Sequence, residues 1–275
     1  MRWFIPIFLL AAINVWIYAW IFAAPKELQV SFLDVGQGDA VYIQTPSGHD
    51  LLIDGGAGAA VLRALSEVQA FGDRYIDVVV ATHPDKDHIG GLIPIFQRYE
   101  VGHYIHNGQK KESETYKVLD ALVRGSGAAI HSGTRGMMLT LGNTTLHVAA
   151  PLSGEETDSN EASIVSQLSH GDIEILFMGD AGRRTERVLL TLDGEVLESE
   201  VLKVGHHGSK TSSDKSFIDR VNAQVAIISA GANNAYGHPH QIVRSTLQEA
   251  GAALIETARQ GTITLQSDGL KVRIK

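Results

Sequence analysis

Thr82-His83-Pro84-Asp85-Lys86-Asp87-His88-Ile89-Gly90-Gly91 follows directly on Ile76-Asp77-Val78-Val79-Val80-Ala81. The run before it is short, apolar and rich in β-branched residues, which predicts a buried strand. Its end carries four groups able to hold a metal: His83, Asp85, Asp87 and His88. Neutral imidazoles and carboxylates are the usual ligands of divalent first-row ions. A lone histidine-x-aspartate is most often a solvated turn, but so dense a set at a strand end points to a metal. Gly90 and Gly91 are expected to let the turn pass close to an ion and open a helix. The 275 residues include no cysteine, which excludes thiolate metal sites, disulfides and cysteine nucleophiles.

Outward from this stretch the chain alternates between strand and helix patterns. Strands are expected over 28–36, 40–46, 49–56, 147–151, 173–180, 201–207, 224–231, 262–268 and 270–274. Helices are expected over 59–70, 114–123, 185–192 and 239–249. A loose repeat is visible. One strand ends at Asp54, a helix follows, and the next strand ends at His83; later a strand ends at Asp180, a helix follows, and the next strand ends at His206. Two related β/α halves could pack sheet against sheet, bringing equivalent strand ends together along one edge where loops carry the chemistry. Asp180 alone would read as a helix N-cap; in this comparison it is a candidate to bridge two ions. His206 takes the place of His83, which favours His206 as ligand and His207 as proton donor or phosphate contact, with the reverse assignment open.

Residues 3–24, WFIPIFLLAAINVWIYAWIFAA, are almost wholly apolar. About 20 such residues match the hydrocarbon thickness of a bilayer, and Trp3 and Trp20 suit its interfaces. A cleaved signal peptide is the competing reading, disfavoured by Pro25 just after the small residues Ala23 and Ala24. The expectation is an anchor over 1–25, an extracytoplasmic domain over 26–275, and the membrane as a partner through 3–24. The formal net charge of −8 does not advertise a nucleic-acid surface, because phosphate binding rests largely on Lys and Arg.

The set LDVGQGDA, LLIDGG, THPDKDHIGG, NEAS, FMGDAG and LKVGHHGS, in that order over 28–275, resembles the metallo-β-lactamase superfamily. Within it, the set is similar to the extracellular hydrolase domain of ComEC-type DNA-uptake proteins and related phosphodiesterases. The resemblance implies an α/β fold, a four-layer αββα sandwich, here preceded by one transmembrane helix, with one or two divalent ions, Zn or Mn. Carried over by position, His83 and Asp85 would hold one ion, Asp87 and His88 the other, Asp180 would bridge, and His206 or His207 would complete the set. Asp54, Asn160 and Ser163 would support these ligands from behind. Asp85 stands where the superfamily more often has histidine, and a hard oxygen there raises the case for Mn²⁺. The usual further histidine before the bridging aspartate is absent, which leaves the His83/Asp85 ion poorly held.

The chemistry implied is metal-assisted hydrolysis. Asp87 would orient the attacking water, with His207 or His240 as proton donor and Lys203, Ser209 and His238 as substrate contacts. The leading reading is a membrane-anchored phosphodiesterase or nuclease acting on a phosphodiester, DNA included. The alternatives are hydrolysis of another ester, lactone or amide, and, from a different class, a tethered binding module without activity. Oligomeric state is not legible.

Overall fold

The computed structural model describes residues 27–152 and 158–275. In the first half, β1 (Leu28–Phe32), β2 (Val41–Gln44) and β3 (Asp50–Ile53) form an antiparallel meander. Helix α1 (Ala60–Ser66) then leads to β4 (Tyr75–Ala81), parallel to β3. Two short helices, α2 (Lys86–Ile89) and α3 (Leu92–Phe96), precede β5 (Glu100–His106), and α4 (Glu114–Ser126) precedes β6 (Ala129–Ser132), which extends the parallel run.

The second half repeats the plan. It opens with the antiparallel strands β7 (Met138–Leu141), β8 (Thr144–Ala150), β9 (Val165–His170) and β10 (Ile173–Phe177). Three parallel strands follow: β11 (Val201–Lys203), β12 (Val225–Ile228) and β13 (Ala253–Glu256). Helices α5 (Arg183–Asp193), α6 (Lys215–Val221) and α7 (Gln241–Glu249) connect them. After the short α8 (Thr257–Gln260), β14 (Ile263–Ser267) and β15 (Val272–Ile274) return to the first sheet, β14 pairing with β1. The first sheet therefore runs β15-β14-β1-β2-β3-β4-β5-β6 and the second β13-β12-β11-β10-β9-β8-β7.

Strand alternation explains the layers. Leu28, Val30 and Phe32 of β1 and Ile173, Ile175 and Phe177 of β10 share one core between the sheets, where the Phe32 and Phe177 rings lie 6.2 Å apart. The outer face of the first sheet is closed by Val61, Leu65, Ile95 and Leu119 from its helices. That of the second is closed by Leu189, Phe217, Val243 and Leu247. Helices outside two facing sheets give the expected sandwich.

The expected membrane-spanning helix is corrected. Residues 3–24 lie outside the described residues; among the described residues no helix is long and apolar enough to cross a membrane. The anchor, the membrane as a partner and the extracytoplasmic placement have no support from any described helix.

One buried carboxyl gives the first sheet a pH signature. Asp50 opens β3 and accepts a hydrogen bond from the Tyr42 hydroxyl at 2.6 Å. Burial pushes its carboxyl up to about 6, against the lowering effect of that hydroxyl. The folded chain therefore holds a proton that the unfolded chain has lost above about pH 4. The group's contribution is fully present below that pH and is lost as pH rises toward 6. Asp50→Asn keeps an acceptor for Tyr42 and cannot ionise. Its stability relative to wild type is expected to rise by roughly 3 kcal/mol between pH 4 and 7, read from urea midpoints; a difference that stays constant with pH would refute the assignment.

Candidate metal centre

The parallel strands β3, β4, β10 and β11 deliver their C-terminal ends to one edge, and the chain turns there with unusual backbone. Asp54, His206 and His207 have φ of 58°, 48° and 53°, a left-handed region costly for residues with a Cβ. Such strain persists where the surroundings enforce it. Here the His206 N–H donates to Gly179 O at 3.1 Å and the Ser209 N–H to His206 O at 2.8 Å. Gly91 stands where the expected helix opens, just before α3. A Cβ on Gly91 would meet Gly55 O at 1.8 Å, so Gly91 also packs backbone on backbone against the β3 turn.

Four buried side chains converge at this edge. Asp39, His88, Asp180 and His207 each bring one ligand atom, all within 4.8 Å of one another. His88 Nε2 and His207 Nε2 lie 3.3 and 3.4 Å from Asp180 Oδ1. These three atoms, together with Asp39 Oδ1 and His83 Nε2, are buried without a hydrogen-bond partner. Buried polar groups are otherwise paired in folded proteins. Aimed inward together, they form a nitrogen and oxygen donor set that fits a divalent first-row ion.

The charges are mutually dependent. Burial alone would lower the His207 imidazole, but Asp180 and Asp39 pull it up to about 10. His88 is raised in the same way by Asp180 and Asp54. Burial drives His83 down to about 4, helped by His88. In the chain alone, protons on His88 and His207 balance the carboxylates, and an ion would take over those nitrogens and that role.

Other residues hold this group in place. Asp54 accepts from His88 Nδ1 at 2.8 Å and from the Thr82 N–H and hydroxyl at 2.8 and 2.7 Å. The His207 Nδ1–H donates to Ser229 O at 2.9 Å. Ser163 Oγ lies 3.3 Å from His83 Nδ1 and accepts from the Asp180 N–H at 3.1 Å. Asn160 enters through its backbone, its carbonyl accepting from the Ser163 N–H at 3.0 Å.

Around the four-residue cluster, Asp87 sits at the mouth, 31% exposed, with Oδ2 3.4 Å from His207 Nε2. His83 Nε2 and His206 Nε2 approach the other oxygen of Asp180, at 3.9 and 3.8 Å. His207, rather than His206, belongs to the tight cluster. Asp85 turns outward and pairs with Lys111 at 2.7 Å. Lys203 does not face the open site: it is buried and pairs with Asp39 at 2.5 Å. Ser209 Oγ accepts from the Thr211 hydroxyl at 3.0 Å. His238 lies with its ring 5.6 Å from that of His206 and 5.1 Å from that of His240. His240 Nδ1 accepts from the Lys210 N–H at 3.3 Å.

Asp39 is the member that sequence reasoning passed over. It lies in LDVGQGDA between Gly38 and Ala40, and its glycine neighbour was the available signal. A Cβ on Gly38 would meet Asp87 O at 2.0 Å, because this loop is pressed against the histidine loop.

The sequence profile described as "Metallo-beta-lactamase superfamily" matches residues 33–232, which include every ligand candidate above. The chain belongs to the metallo-beta-lactamase superfamily. It is 32% identical over 256 residues to ComE operon protein 3 of Bacillus subtilis (strain 168), covering 86% of this chain and 33% of that protein. It is 30% identical over 242 residues to competence protein ComA of Neisseria gonorrhoeae, covering 88% and 33%. The chain thus spans about a third of the length of these curated relatives. Among solved structures, the metallo-beta-lactamase fold protein YhfI of Bacillus subtilis aligns with a TM-score of 0.59 at 12% identity, covering 87% of this chain and all of that one. CmlA, a diiron beta-hydroxylase from Streptomyces venezuelae, aligns with 0.58 at 15%, covering 88% and 55%. At such identities the likeness shows the fold alone. Superfamily membership and the donor cluster together support a metal-dependent hydrolase.

Two outcomes follow from these contacts. Asp54→Ala is expected to weaken Mn²⁺ or Zn²⁺ binding by about 10- to 100-fold in calorimetric titration, with the far-UV spectrum unchanged; undiminished affinity would remove Asp54 from the site. Lys203→Met strands a buried carboxylate and is expected to cost about 3–5 kcal/mol in the metal-free protein. Asp39→Asn/Lys203→Met should recover most of that loss in urea unfolding.

Proposed function

We propose that this protein is a metal-dependent phosphodiesterase whose substrate class includes nucleic acid. The observation that carries the reading is the inward-facing donor set of Asp39, His88, Asp180 and His207 beside the partly exposed Asp87. Its hard carboxylate oxygens suit Mn²⁺ as well as Zn²⁺. An ion bound there supplies Lewis acidity and lowers the pKa of a coordinated water. We assign Asp39, Asp87, His88, Asp180 and one or both of His206 and His207 to holding the ions, with His83 and the outward-turned Asp85 on the weaker side.

The protein's own groups divide the remaining work. Asp87 sits where it can accept a hydrogen bond from the attacking water. Its carboxyl is held well below the usual range: burial opposes this, but the close approach of the His207 and His88 imidazoles overrides it. It is therefore ionised and ready to orient that water. His238 is pushed down to about 4 by burial and by His207, so at neutral pH it is an uncharged imidazole able to donate to a phosphoryl oxygen. His240, at the outer end of the imidazole row, is positioned as proton donor to the leaving oxygen. Buried Asp54 and Ser163 keep the first rings oriented. The relatives named for competence and recombination support a nucleic-acid substrate over a β-lactam.

The test is hydrolysis of bis-p-nitrophenyl phosphate and of a single-stranded oligonucleotide by the full chain with Mn²⁺, Zn²⁺ or EDTA. Turnover is expected with metal and abolished by EDTA, and Asp87→Asn should lower it by at least about 100-fold without unfolding the protein. A metal-loaded chain that cleaves neither compound would overturn the reading.

A further inference from the structure

Behind His83 a small recess passes beneath Tyr104, His106 and Tyr116. The same three residues line a larger one that runs between β5, β6 and α4, with Lys110, Asp120 and Arg124 around it. The larger recess has a volume of about 100 Å³ and opens to solvent on one side. Nothing in the hydrolytic mechanism uses it.

Its chemistry is specific. Tyr104 is buried and stacks on His106, centroids 5.7 Å apart and planes 16° apart. His106 Nδ1 accepts from the Gly108 N–H at 3.1 Å, so in the neutral ring the proton sits on Nε2 and is available to an acceptor. Burial lowers the pKa of this imidazole, which keeps it neutral. Tyr116 is only partly buried. Arg124 is tied to Asp120 at 2.8 Å, while Lys110 stands exposed at the rim. An aromatic slot with one hydrogen-bond donor inside and a cation at its lip matches a base joined to a phosphate. Base stacking on a side-chain ring is worth about 1–3 kcal/mol and tolerates any sequence.

We propose that this recess is a subsite for one base of a single-stranded nucleic acid whose scissile phosphate lies at the metal centre. Tyr116 supplies the stacking face, His106 Nε2 a hydrogen bond to the base edge, and Lys110 a contact to the adjoining phosphate. The inference rests on the phosphodiesterase reading for its substrate, but its binding test does not depend on turnover.

The experiment titrates the EDTA-treated full chain with a fluorescent oligothymidylate and with an abasic strand of the same length, at fixed salt. Wild type is expected to prefer the strand with bases by about 5- to 100-fold. Tyr116→Ala should erase that preference, and Tyr116→Phe and Tyr116→Trp should keep it. Lys110→Ala should weaken both strands alike and flatten the salt dependence by about one phosphate contact. Equal binding of the two strands by wild type, or a preference that survives Tyr116→Ala, overturns the subsite. Hydrolysis of bis-p-nitrophenyl phosphate by metal-loaded wild type is measured alongside. Hydrolysis without a base preference sinks the subsite alone, and a base preference without hydrolysis sinks only the phosphodiesterase reading.

Discussion

Buried charge at the seam between the two sheets is the constraint on which this structure turns. Asp39, Asp54 and Asp180 are all buried, and an isolated carboxylate in such a place would be neutralised or expelled. Each is instead given partners. Asp54 takes the Thr82 and His88 donors. Asp180 is ringed by the imidazoles of residues 83, 88, 206 and 207. Burial would push Asp39 up, but Lys203 and then His207 hold it below the usual range. The left-handed turns at Asp54, His206 and His207 are tolerable because these contacts over-determine them.

The same seam explains why the fold comes as two halves. Each half supplies a parallel strand pair, β3 with β4 and β10 with β11, and each pair points its ends at the shared edge. Lys203 of the second half reaches Asp39 of the first. A pair that crosses the interface and is buried on both sides contributes specificity of docking, although such pairs add little net stability.

Much of the architecture was readable from local pattern. The runs at 28–36, 76–83 and 173–180 contain observed strands, and the helical stretches match α1, α4, α5 and α7 to within a few residues. Five strands escaped notice: β5, β6, β7, β9 and β13. β5 (Glu100–His106) carries a glycine and two histidines, β9 (Val165–His170) mixes serine and glutamine with its apolar residues, and β6, β7 and β13 have only four residues each. Their place is set by pairing with neighbours, which context rather than propensity decides. Within the site, the dense His83–His88 cluster and Asp180 announced themselves by position at strand ends.

The sequence by itself determined the donor types at those ends and the doubled β/α plan, because both are written in short-range periodicity and residue chemistry. Only the tertiary structure decided which side chains meet. It brought Asp39 in from a loop over 140 residues from Asp180, placed His207 rather than His206 in the tight cluster, turned Asp85 out to Lys111, and buried Lys203. The physical reason is that a side chain's direction at a strand end depends on backbone turns such as those at His206 and His207. Those turns are enforced by contacts from the other half of the molecule.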